Sequence, residues 1–219
     1  MNRACWIVAV ALAAFAWGVS AWAYPNLPES IPTHWNIQGQ VDGRGGRSTV
    51  FLMPAVATGL LILFAFLPAL SPKSFEVDSF RPTYLYVMAT TIGLFAYIQV
   101  VILMTTFQEV RGERSFDMGR ALAAGIFVFF GLMGNVMGKV RKNFYIGIRV
   151  PWTLASDRVW NDTHRLAAWL MVGGSIVGLA VVLLGAPLVA ALGVLLATAL
   201  IPVAYSFFHY KALERRGAL

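Results

Sequence analysis

Residues Lys139 to Arg165 read KVRKNFYIGIRVPWTLASDRVWNDTHR, and their reading decides how the rest of the chain is arranged. Lys139, Arg141, Lys142, Arg149, Arg158 and Arg165 crowd into this stretch beside aromatic and turn-forming residues. Long apolar runs flank it on both sides. Crossing a bilayer takes about 20 apolar residues, so a charged block between two such runs is a connection between membrane helices.

The composition agrees. Of 219 residues, 58% are hydrophobic and 12% charged, and the mean hydropathy is +0.70. Soluble domains carry about 25% charged residues, so water is not the main solvent of this fold. The net charge of +7 sits in the gaps between apolar runs. Topology signals of membrane proteins are distributed this way, and direct nucleic-acid binding is not expected. Cys5 is the single cysteine, which excludes an intrachain disulfide. It reads as a small hydrophobe within a helix.

Working outward from the central stretch, the apolar runs span about 4–24, 50–70, 84–107, 118–138, 166–184 and 187–208. Each is expected to be a helix, because backbone polar groups in lipid must be satisfied within the segment. Little more than Gly185-Ala186-Pro187 separates the last two, which predicts a tight antiparallel hairpin. The first run, with Arg3 before it and Ser20-Ala21-Trp22-Ala23 at its end, has features of a signal peptide. It extends to Trp22 and Tyr24, which suit an interfacial belt, so an uncleaved anchor is expected. Pro68 and Pro202 are expected to bend membrane helices. Gly134 with Gly138, and Gly174 with Gly178, are small-residue pairs that let helix backbones approach closely.

Orientation follows from the basic residues. Placing both termini inside leaves five of the 17 on the outer side: Arg44, Arg47, Arg111, Arg114 and Arg120. The expectation is an all-α integral membrane protein with six transmembrane helices, both termini cytoplasmic, and membrane lipid as its constant partner.

The first outer loop, residues 25–49, combines Pro25, Pro28 and Pro32, which favour an extended path, with Gly39, Gly43, Gly45 and Gly46, which supply turns. His34, Trp35 and Asn36 stand between the two regimes. The loop reads either as a recognition surface or as a solvated connector with Trp35 resting in the interface. Glu109, Arg111, Glu113, Arg114 and Asp117 read as a solvated charged face. In the central stretch, Pro151 holds Val150 out of helix, Ser156 is an N-cap, and Asp157 complements the helix dipole. Asp157, Trp160 and His164 share one face of the helix that follows. Arg158, Asp162 and Arg165 are expected to pair along an adjoining face.

Catalytic signatures are missing: the chain has no Gly-x-Ser-x-Gly elbow, no His-Glu-x-x-His pair and no Walker loop. No catalytic residue, metal or cofactor is expected. Of the three histidines, His34 falls on the opposite side from His164 and His209, so a metal site is conceivable only from His164, Asp157 and His209. No acidic residue lies inside any apolar run, which argues against ion-driven transport.

The stretch from Asn143 to Arg165 closely resembles the signature of the SdpI family of bacterial membrane proteins, through Asn143, Gly147, Arg149, Pro151-Trp152-Thr153, Trp160 and Thr163-His164. The first loop is similar to a small uncharacterised membrane module often found ahead of that signature, through Pro32, His34, Trp35-Asn36, Gly39 and Asp42. The resemblance divides the chain into an N-terminal module (1–70, with the outer loop 25–49), the third and fourth helices with short loops (71–130), and an SdpI-like region (131–219) with the signature at 143–165. It implies a multi-pass protein of the bacterial inner membrane. The family's named member protects its cell from a secreted membrane-active peptide toxin and holds a transcriptional repressor at the membrane.

The expectation is therefore an immunity factor and not an enzyme. His34, Trp35, Asn36, Gly39 and Asp42 would contact a peptide outside. Asn143, Gly147, Arg149, Pro151, Trp152, Thr153, Asp157, Trp160, Thr163 and His164 would face a cytosolic transcriptional regulator, or pin the fifth helix at the headgroups. A small-molecule or lipid transporter with three-plus-three helices, and a membrane-embedded metal-dependent enzyme, are the alternatives.

Overall fold

The structure is a computed structural model and describes residues 2–36, 40–112 and 116–219. Its helices are α1 (Asn2–Ala23), α2 (Leu52–Phe66), α3 (Arg81–Val110), α4 (Met118–Met137), a short α5 (Pro151–Ala155), α6 (Asp157–Leu183) and α7 (Leu188–Arg215). Among the described residues, six helices, all but α5, are long and apolar enough to cross a membrane. Short 3-10 turns at Arg47–Phe51 and Leu67–Leu70 extend α2 at both ends. The protein is therefore a multi-pass membrane protein.

Between α1 and α2 the chain departs from an all-helical architecture. Strands β1 (Ser30–Trp35) and β2 (Val41–Gly46) pair antiparallel, with Ser30 opposite Gly46 and Trp35 opposite Val41. The register slips on either side of His34, a bulge that re-aims side chains at a strand edge. The outer loop is thus a hairpin, where the prolines had predicted only an extended path. Two strands alone are marginal in water. Here Leu27, Ile31 and Val50 are buried with Ala23 and Leu103, which fastens the hairpin base to α1 and α3. Arg44 also bonds Glu109 at the end of α3, so Glu109 is not merely part of a solvated face.

Small residues set the helix spacing. Ala9, Ala13, Ala16 and Ser20 form the buried stripe of α1 against α3. On α6, a Cβ at Gly178 would sit 2.1 Å from the Phe127 ring of α4, so the helices approach as closely as glycine permits. Pro202 lies inside α7. Pro68 does not bend α2, which ends at Phe66 before it.

The turn between α6 and α7 is held from α4. Arg120 donates through Nη1 to Val182 O (3.0 Å) and Ala186 O (3.2 Å), and through Nη2 to Gly185 O (3.0 Å). Val182 lies in the last turn of α6, and Gly185 and Ala186 in the turn that follows it, so the charge complements the negative end of the α6 dipole. Asp117 bonds Arg120 Nε at 3.1 Å and caps α4 by accepting from Arg120 N.

Candidate functional site

The stretch after α4 folds around its own backbone. Asn143 is fully buried and its amide is saturated: Nδ2 donates to Arg141 O (2.7 Å) and Ile146 O (3.0 Å), while Oδ1 accepts from Tyr145 N (2.7 Å) and Ile146 N (2.8 Å). These bonds use every hydrogen and lone pair a carboxamide offers. They close the turn that reverses the chain as it leaves α4.

Ile148 is then held from both sides. Its N–H donates to His164 Nε2 at 2.9 Å, and its carbonyl accepts from Thr153 Oγ1 at 2.7 Å. Thr153 Oγ1 also receives the Val150 N–H at 3.1 Å, capping α5, whose first residue is Pro151. The His164 tautomer follows from its partners. Nδ1 faces Trp160 O at 2.7 Å, and a carbonyl only accepts, so Nδ1 carries the proton and Nε2 is bare.

Gly147 lies against this ring with φ +110, a conformation that side chains rarely adopt. Trp160 stacks on His164 with ring centroids 4.0 Å apart, and donates its indole N–H to Val140 O at 2.8 Å. Both rings are buried. Thr163 is buried beside them in sequence, and its hydroxyl has no hydrogen-bond partner.

Asn143, Gly147, Thr153, Trp160 and His164 therefore build one packed unit. Trp152 points elsewhere, donating to Ser206 Oγ on α7 at 2.6 Å and lying edge-on to Phe207, so α5 is docked on α7. Arg149, Pro151 and Asp157 are exposed. Arg149 reaches back to Phe144 O, and Asp157 pairs with Lys142 Nζ at 2.6 Å. Asp157 thus occupies the rim of the face that buries Trp160 and His164. Asp162 bonds His209 Nε2 at 2.9 Å, in place of the pairing expected with Arg158 and Arg165.

The arrangement of His164, Asp157 and His209 does not form a metal site. Both His164 nitrogens engage backbone, the other two have separate partners, and no group of three or more potential ligands occurs among the described residues.

At the other end of the bundle, His34 Nδ1 lies 2.5 Å from Asp42 Oδ1 across the hairpin, with both side chains largely exposed. Asn36 bonds Gln40 through its Oδ1 (2.9 Å, from Gln40 N) and Nδ2 (3.2 Å, to Gln40 Oε1), and Trp35 is half-buried. Gly39 lies outside the described residues. The two groups of candidate residues do not meet, since α3 and the other long helices separate them.

Sequence reasoning missed Gln99 and Ser20, joined in the membrane-spanning region by a 2.9 Å bond from Gln99 Nε2 to Ser20 Oγ. A lone amide within an apolar run is the signal that could have found them. Nothing local marks Ser206 as the partner of Trp152.

Comparison with known proteins finds matches in two regions of the chain. Residues 11–58 match a domain of unknown function, DUF1648, and residues 139–206 match the SdpI/YfhL protein family. The chain is 27% identical over 205 residues to the immunity protein SdpI of Bacillus subtilis (strain 168), covering 93% of this chain and 94% of that protein. No solved structure matches. The saturated Asn143 turn, the His164 clamp and the docked Trp152 all lie inside the segment that matches the SdpI/YfhL protein family, and the hairpin lies inside the segment that matches DUF1648.

Proposed function

We propose that this protein is a bacterial inner-membrane immunity factor that protects its cell from a secreted, membrane-active peptide. The observation that carries this reading is the similarity to the Bacillus subtilis immunity protein, which runs through the hairpin module and the signature together over 93% of the chain. The charge bias supports a cytoplasmic side for the termini and the signature and an outer side for the hairpin.

Within this reading the labour is divided between the two ends of the bundle. His34, Trp35, Asn36 and Asp42 on the hairpin meet the peptide, with Gly39 between them in sequence. Asn143, Gly147, Thr153, Trp160 and His164 hold the signature together. Its outward residues, Phe144, Arg149, Pro151 and Asp157, are the surface offered to a cytosolic regulator. The protein acts by binding, without catalysis.

The test is survival of a sensitive bacterium that expresses the chain while exposed to a panel of membrane-active peptides. Protection by the intact chain, lost in His34→Ala at equal membrane abundance, is the expected result. Absence of protection against every peptide would overturn the reading. Protection that survives His34→Ala would move peptide recognition off that side chain.

A further inference from the structure

Under the hairpin lies a cavity of about 240 Å³ between β1, the start of α2 and α3. Its walls are mostly apolar, from Ile31, Pro32, Leu52, Met53 and Ile102. At its membrane-ward end stands Gln99, which is 1% exposed. Gln99 lies 11 residues before the end of α3, a depth of roughly 16 Å along the helix.

The orientation of this amide is fixed by its neighbour. Ser20 has one hydroxyl hydrogen, which it donates to Ala16 O at 2.7 Å. Ser20 Oγ can then only accept, so the group facing it at 2.9 Å must be the Gln99 NH2. A flipped amide would set two oxygens together with no hydrogen between them. Gln99 Oε1 is therefore left on the other side, buried and without a hydrogen-bond partner. A buried acceptor in that state is costly until a donor reaches it.

We propose that this cavity binds one aromatic side chain of a peptide, whose indole N–H or phenol O–H is donated to Gln99 Oε1. The proposal rests on the reading of the chain as a peptide-recognising immunity factor. The chemistry selects this occupant. Apolar walls suit the ring, and a buried acceptor that no other group satisfies suits a donor at its tip. A lipid acyl chain would fill the walls and leave Oε1 unpaired. The size is adequate, since a cavity of about 150 Å³ lined by apolar side chains already admits benzene.

The test uses the purified full-length chain in lipid nanodiscs with 5-fluoroindole as the probe, followed by fluorine NMR. A saturable bound resonance, absent from empty nanodiscs, is expected. 5-Fluoro-1-methylindole, which lacks the N–H, should bind about tenfold more weakly. Gln99→Met should erase that difference, and Met53→Trp, which fills the cavity from its wall, should remove the bound resonance. Equal affinity for the two indoles, no bound resonance, or one that persists in Met53→Trp would each overturn the proposal. The comparison of the two indoles on the unaltered protein stands even if a variant fails to fold.

A survival assay separates this proposal from the reading beneath it. Loss of protection in Gln99→Met at equal membrane abundance supports a peptide side chain in the cavity. Full protection by that variant overturns the cavity's role and leaves the immunity reading intact. Failure of the unaltered chain to protect overturns the immunity reading, and with it the peptide as occupant, whatever the indole titration shows of the cavity.

Discussion

Gly147 and His164 pack backbone against ring so closely that a Cβ on Gly147 would fall 2.3 Å from His164 Nε2, the atom that receives the Ile148 N–H. Two constraints therefore coincide at Gly147: a positive φ and no room for a methyl group.

Gly147→Ala should accordingly cost about 2–4 kcal/mol, combining backbone strain with overpacking. The midpoint of thermal aggregation in mild detergent, with membrane abundance beside it, measures this. An unchanged midpoint would mean that the ring and the turn are not in the described contact.

His164→Phe keeps a ring of similar bulk and removes both polar contacts. Ile148 N–H would lose its acceptor, at a cost of about 1–3 kcal/mol. His164→Gln, which restores an acceptor, should recover part of the loss. Nitrogen-15 NMR of the unaltered protein should show Nδ1 protonated and Nε2 bare.

Arg120 gathers three carbonyls from the α6–α7 turn. Arg120→Ala should destabilise by about 1–3 kcal/mol. Arg120→Lys should recover only part of this, because an ammonium lacks the planar fork. Protease sensitivity of the 183–188 turn is a second readout, and it should rise in both variants.

Arg149→Ala should leave stability within about 0.5 kcal/mol, since the side chain is exposed and its partner is a single carbonyl. If Arg149 contacts a cytosolic regulator, signalling should fall while abundance and thermal midpoint stay normal. A drop in abundance that accounts for the lost signal would make Arg149 a structural anchor.

Much of this architecture could be read from the sequence because lipid tolerates few solutions. Run length alone located the six long helices, although α3 extends beyond its apolar run, to Arg81 and Val110. The hairpin was not legible. Its second strand, VDGRGG, is made of residues that strands ordinarily avoid, and only its partner and the packed base make it one. Asn143 was legible as a member of the signature but not for what it does, since an amide after a basic stop looks like a solvated loop. Ser156 did cap α6, accepting from Val159 N, because that bond is local. Arg120, Glu109 and Gln99 act on partners distant in sequence, so nothing beside them announced their roles.

The saturated Asn143 turn has a consequence for genetics. Its polar atoms are spent on neighbouring peptide groups, so substitutions there are expected to remove protein from the membrane before they alter any encounter with a partner. A screen scored only by survival would report Asn143, Thr153 and His164 as strongly as a true contact residue. Sorting the same library by membrane abundance first would leave the outward-facing positions as the ones whose loss carries information about binding.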